Sequence, residues 1–192
     1  MATLTNDAVV AVAKSVNWVV ESLGGQALIS ITGDTVSLRG TSPGDVKVTG
    51  GYQGIFANFN VTVTPVMSGT AAVGAPMGGA SIVLTDKNGN QWTTTANDRG
   101  SYTFSDLTGA VAPFQVTASV KMGDTVVTHY ALVTESGADR VANVTPLTTA
   151  VTALVAPTDV PMALTAGQIS AITAEQIAGA TAKIKTAIAP LA

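Results

Sequence analysis

Apolar and polar residues alternate through most of the first 140 positions. ALISIT (27–32) and TVSLRG (35–40) put an apolar side chain at every second place, the period of a half-buried strand. Gly33-Asp34 between them is a two-residue hairpin signal. SPGD (42–45) is a turn with Pro at its second position. VKVTGGY and IFANFNVTVTP then flank Gln53-Gly54. The period places Phe56, Asn58, Asn60 and Thr62 on one face of the last strand, and Ile55, Ala57, Phe59, Val61 and Val63 on the other. Upstream, AVVAV (8–12) predicts a buried strand, and SVNWVVESLGG (15–25) fits either strand and loop or one helical turn.

PVMSG (65–69) reads as a short linker. A second β set follows. ASIVLTD (80–86) and QWTTTA (91–96) flank the turn KNGN, NDRG turns the chain into the short strand SYTF, and FQVTASV (114–120) pairs with TVVTHYALV (125–133) around KMGD. Turn signals about every ten residues predict an antiparallel sandwich.

The period changes after Asn143. Thr145-Pro146 is an N-cap followed by Pro at the first helical position, and Leu147, Val151 and Leu154 fall on one helical face. TAEQ (173–176) fits a capping box opening an Ala-rich helix, with Ile177, Ile184 and Ile188 on one stripe and an end near Pro190. Two helices joined by a loop at about 156–172 are expected. So few large side chains gain little on burial, about 0.8 kcal/mol per CH₂, which predicts a loosely held tail.

Composition narrows the function classes. Hydrophobic residues make up 46% and charged residues 11%, enough for a buried core. The net charge is −3 and the basic residues are scattered, so no basic stripe is present to neutralise phosphates and nucleic acid is not an expected partner. There is no cysteine, which excludes disulfides and thiolate metal sites. No apolar run is long enough to span a bilayer. MATLTND lacks the basic and apolar regions of a signal peptide. The expectation is an intracellular protein or a chain that begins inside a longer one.

Two stretches resemble known families. DTVSLRGTSPGDVKVTGGYQGIFANFNVTVT (34–64) resembles the C-terminal half of a bacterial Ig-like group 2 domain, through its Pro-Gly turn, GDVKVT strand, YQG and closing VTVT. NDAVVAV (6–12) is similar to that family's preceding strand. The family's opening strands are missing from the match, which implies either a shortened domain at 1–65 or one cut inside a longer protein, with an unpaired edge strand and self-association through it. GGASIVLTDKNGN, TTTANDRGSYTF and FQVTASV resemble the carboxypeptidase regulatory-like family, a transthyretin-type β-sandwich, over about 68–134. That resemblance implies a non-catalytic stabilising or binding module at 68–140, common in secreted and surface proteins, with a helical tail at 145–192. NVTPLTTAVTALV and the last helix are similar to tails on some bacterial surface proteins.

Within NDRGSYTF, the family resemblance implies that Asp98 and Gly100 build the turn, Asp by bonding nearby N–H groups and Gly by taking a positive φ. Tyr102 and Phe104 share the face turned to the core. Asn88-Gly89 is a hairpin dipeptide. Asp86, Asn88 and Asn90 have alternating oxygens, but the glycine is fourth rather than sixth and no Glu closes a calcium loop. His129 is the only histidine, too few for a multi-histidine metal site or a triad with spare parts, and reads as a strand-surface residue beside Val127 and Ala131. No G-x-S-x-G or phosphate-loop motif occurs. Asp34, Asp45, Asp86, Asp98 and Asp124 sit in turns. No Lys lies between Met67 and Asp86, so no Lys–Asn isopeptide bond is expected in the second domain. Trp18 and Trp92 are core anchors or sugar platforms; Trp92 and Tyr102 are the aromatic candidates for ligand contact.

The expectation is a mainly β protein of Ig-like and transthyretin-like sandwiches with a helical tail. No cofactor and no catalysis are expected. The expected role is a structural or interaction module of a bacterial secreted or cell-surface protein, joined to other domains or to a surface glycan or protein. A carbohydrate- or peptide-binding module and a phage virion decoration domain are the alternatives.

Overall fold

Strand periodicity becomes strand in every segment where it is clean. A computed structural model describes residues 15–33, 35–156 and 163–189. The run at 8–12, the hairpin residue Asp34 and part of the expected loop at 156–172 lie outside them. The described residues are mainly β, with helices at the C-terminal end. The chain forms two compact units that divide between Thr64 and Pro65.

The first unit holds β1 (Asn17–Leu23), β2 (Gln26–Thr32), β3 (Thr35–Ser42), β4 (Gly44–Tyr52) and β5 (Ile55–Val63). SVNWVVESLGG is thus a strand and a corner. The strands form a three-stranded sheet in the order β1-β4-β5 and a hairpin β2-β3, all antiparallel. Gln53 and Gly54 both take positive φ, the geometry of a tight hairpin turn. Where two corners cross, Gly25 N donates to Asp45 O at 3.0 Å. A Cβ on Gly25 would lie 2.3 Å from the Gly44 carbonyl oxygen, so the crossing needs glycine. Among the described residues of this unit, Val46 and Val48 are the buried hydrophobics.

The second unit is a seven-stranded sandwich. Its larger sheet has the order β11-β10-β7-β8, from β7 (Ser81–Asp86), β8 (Gln91–Thr95), β10 (Phe114–Met122) and β11 (Thr125–Val133). The smaller has the order β12-β6-β9, from β6 (Val66–Thr70), β9 (Ser101–Phe104) and β12 (Asp139–Val141). PVMSG is therefore largely a strand rather than a linker: Met67 is fully buried, paired with Phe104 on one side and Arg140 on the other. The core lies between the sheets, with Met67, Tyr102 and Phe104 facing Ile82, Leu84, Phe114, Val116 and Ala131.

Both expected helices form, with both expected N-caps. Helix α1 (Pro146–Val155) is capped by Thr145 and α3 (Ala174–Ile188) by Thr173, each through a capping box. A short α2 (Ala166–Ser170) fills part of the expected loop, and a Thr165 box opens it too. The face of α1 that carries Leu147 and Leu154 is not its buried face. Leu147 and Leu154 stay 51% and 53% exposed, while Thr152 is fully buried. Threonine hydroxyls bond back to carbonyls of the previous turn, as Thr152 does to Thr148 O at 2.9 Å, which lets the methyl face pack inward. The tail is docked by more than its own helices. Ala156, Leu164, Ile169 and Ile172 cluster with Leu132 of β11. The buried Gln115 of β10 accepts the Leu164 N–H at 2.8 Å.

Candidate functional site

Asp86 ends β7 and starts the Asn88-Gly89 turn. Its carboxylate is fully buried. One oxygen accepts from Asn88 N at 2.8 Å and Asn90 N at 2.9 Å. The other accepts from Asn90 Nδ2 at 3.2 Å and Val111 N at 3.3 Å. Four donors satisfy a carboxylate buried in this way. Gly89 takes φ +85°, as the hairpin requires. Asp86 is thus the clasp of a turn. Among the described residues no three acidic or histidine side chains are grouped to hold a metal ion.

In NDRGSYTF the turn carboxamide is Asn97, one residue before the expected aspartate. Asn97 Oδ1 accepts from Arg99 N and Ser101 N, both at 3.0 Å, an Asx turn. Asp98 lends no side-chain oxygen to it. Gly100 is the essential glycine: its φ is +75° and a Cβ would sit 2.3 Å from Ala71 O. The flanking strands β8 and β9 belong to different sheets. The stretch is therefore where the chain crosses between sheets, not a hairpin within one.

Tyr102 is unsuited to touching a ligand. It is 4% exposed, stacked edge-on against Phe104 with ring centroids 5.9 Å apart. Its hydroxyl donates to Ala142 O. Burial pushes its pKa above the ordinary tyrosine value, so it remains a donor.

Trp92 is the candidate that keeps access to solvent. It pairs with Leu84 across β7-β8, and one side of the indole packs on the core. The rest lines a shallow depression of about 190 Å³ with Thr93, Thr94, Thr103, Phe104, Ser105 and Asp106. Asp106 Oδ1 accepts from Thr108 N at 2.8 Å. Its bonds from Thr108, side chain and backbone, hold its pKa below the ordinary aspartate value, so the rim is anionic. An aromatic edge beside hydroxyls and a carboxylate is the chemistry that meets a sugar ring or a polar peptide.

His129 is not on an open strand surface. Its Nδ1 lies 3.0 Å from Thr149 Oγ1 of α1, its Nε2 is buried without a partner, and burial lowers its pKa. Arg140 had no signal in the sequence at all. It is 4% exposed, donates from Nε to Gly137 O at 2.9 Å, and lies 4.9 Å over the Phe114 ring, a cation–π contact. Burial lowers its pKa, but a guanidinium stays protonated.

In the first unit the accessible apolar side chains are the site. Ile55 is 74%, Phe56 72% and Phe59 51% exposed around the β4-β5 hairpin, with Tyr52, Val19, Leu23 and Leu28 also exposed. Phe59 stands opposite Val48, on the face that carries the unit's buried valines, yet stays half uncovered. Strand β5 is an outer strand of its sheet. No described helix is long and apolar enough to cross a membrane.

No protein-family model matches the chain, and no curated protein matches it. Among solved structures it is similar to a Pseudomonas aeruginosa protein provisionally described as carbohydrate binding, at 12% identity and TM-score 0.32, over 43% of this chain and 88% of that one. It is also similar to BcpA, the major pilin subunit of Bacillus cereus, at 12% identity and TM-score 0.32, over 69% of this chain and 56% of that one. A likeness this low transfers no function.

Proposed function

We propose that this chain is a non-catalytic structural and interaction module of a bacterial secreted or cell-surface protein. The observation that carries the reading is the exposed apolar set among the first unit's described residues. Its outer strand β5 presents Ile55, Phe56 and Phe59 to solvent at 51–74% exposure. Exposed apolar side chains on an open strand edge are what a neighbouring domain or a second copy covers. The second unit supports the same reading, since its buried polar groups Asp86, Gln115 and Tyr102 are engaged in holding turns and tail. Resemblance to an Ig-like group 2 domain in the first unit and to the carboxypeptidase regulatory-like family in the second fits this role, supported by the hairpin at Gln53-Gly54 and by the two-sheet sandwich of the second unit.

Light scattering of the full chain across a hundredfold concentration range tests it. Association that weakens in a Phe56→Ser, Phe59→Ser double variant is expected; a monomer throughout would remove self-association from the reading. The depression at Trp92 favours a second reading, a carbohydrate- or peptide-binding module. In a Trp18→Phe variant, a polysaccharide that shifts Trp92 emission and protects it from iodide would establish that role, and an unresponsive Trp92 would discard it.

A further inference from the structure

Strand β11 is the outer strand of the larger sheet, and an outer strand exposes backbone N–H groups that another chain can pair with. Here α1 covers that edge. Thr149 Oγ1 accepts the outward Tyr130 N–H at 2.9 Å. The same oxygen bonds Thr145 O at 2.8 Å and His129 Nδ1 at 3.0 Å. A hydroxyl has one proton and two lone pairs. With its proton on the Thr145 carbonyl, Thr149 Oγ1 accepts from Tyr130 N–H and from His129 Nδ1–H. All three bonds are then satisfied, and His129 Nε2 is left with a lone pair. That atom is buried without a partner.

We propose that His129 is an acid-sensitive latch that holds α1 over the β11 edge when neutral and releases it when protonated. A second proton must go on Nε2, where it finds no acceptor and places a charge in a covered site. Among the described residues no charged side chain bonds the imidazole. Helix α1, PLTTAVTALV, has no ionisable side chain. On β10 the residue opposite His129 is Ala118, and the charged one is Lys121, opposite Val126. On β11 the other ionisable side chain is Tyr130, which alternates to the opposite face. Asp124 sits in the β10-β11 turn, and α3, which packs on α1, carries Glu175, Lys183 and Lys185. His129 bonds to none of them; its partner is Thr149.

Linkage gives the direction. Burial holds the docked imidazole below the ordinary 6.5. The docked state is therefore fully favoured above that value. As pH falls from there toward the docked pKa, the released state takes up the proton first, and docking weakens. Release would open the β11 edge to an extended strand.

The test uses the full chain and its single histidine. Hydrogen exchange, corrected for the intrinsic pH dependence, is followed at pH 7.5 and 5.5, alongside the lone imidazole Cε1–H signal by NMR. The imidazole is expected to titrate below 6.5. Protection of the Tyr130 amide and of α1 should drop by up to about tenfold at pH 5.5, with Val116 and Leu84 in the core unchanged. His129→Asn, which keeps a donor for Thr149 but cannot titrate, should lose the step. The latch is overturned if the imidazole titrates at or above 6.5, if protection at Tyr130 does not change, if the core loses protection equally, or if His129→Asn retains the step. Should that variant fold poorly, the wild-type titration and exchange data decide.

Discussion

The two units use the same alphabet of short Val- and Thr-rich strands and reach opposite degrees of closure. In the second, large side chains from two sheets and their connections meet in one core: Phe114, Met67, Met77, Ile82, Leu84 and Leu107 are all fully buried. Among the described residues of the first, Val46 and Val48 alone of the hydrophobics are buried, while Phe56 stands largely and Phe59 half in water. Alternation of apolar residues makes a sheet in both. Closure needs a second face bulky enough to fill the gap, and the apolar side chains of the β2-β3 hairpin, Ala27, Ile29, Val36 and Leu38, are themselves only half-buried. A sheet covered on part of one face is marginal alone, which is why the first unit reads as the interacting part and the second as the support.

That contrast can be broken most forcefully in the second core. Phe114→Ala should cost about 3–5 kcal/mol, read by urea unfolding of the unit reported by Trp92 in a Trp18→Phe background. Phe59→Ala, at a half-exposed site, should cost under about 1.5 kcal/mol in the unit reported by Trp18. Equal costs would mean that the two units are closed alike.

Gln115→Ala comes next. It leaves the Leu164 N–H buried without its acceptor and should cost about 1–3 kcal/mol, with protease sensitivity rising between 156 and 172 before the sandwich unfolds. No change in cleavage would show that the apolar cluster around Ile169 holds the tail unaided. Tyr102→Phe strips the donor from the buried Ala142 carbonyl and should lower stability by about 1–2 kcal/mol; an unchanged midpoint would place that carbonyl on water. Phe56→Ser should move stability by no more than about 0.5 kcal/mol while weakening association, and a large loss of stability would mean that its ring covers the sheet instead of a partner.

Helix starts were legible because capping chemistry is local: Thr145-Pro146 and the Thr173–Gln176 box need only their own neighbours. The face α1 buries was not, because it depends on the unpaired edge of β11, which rewards Thr149 over Leu147. Asp98 was expected to build its turn, and Asn97 does so; either side chain suits an Asx turn, and the choice follows from where β8 leaves its sheet. Tyr102 and Trp92 share aromatic chemistry and differ by position, one between the sheets and one at the β8 edge.

The order of apolar and turn residues alone determined a mainly β chain with capped C-terminal helices, since strand period, tight-turn glycines and N-caps act within a few residues. Tertiary structure decided which strands share a sheet, that PVMSG pairs instead of linking, and that Gln115 and Arg140 are buried and His129 half-buried. Most of those outcomes rest on contacts between residues tens of positions apart, where burial outweighs local preference.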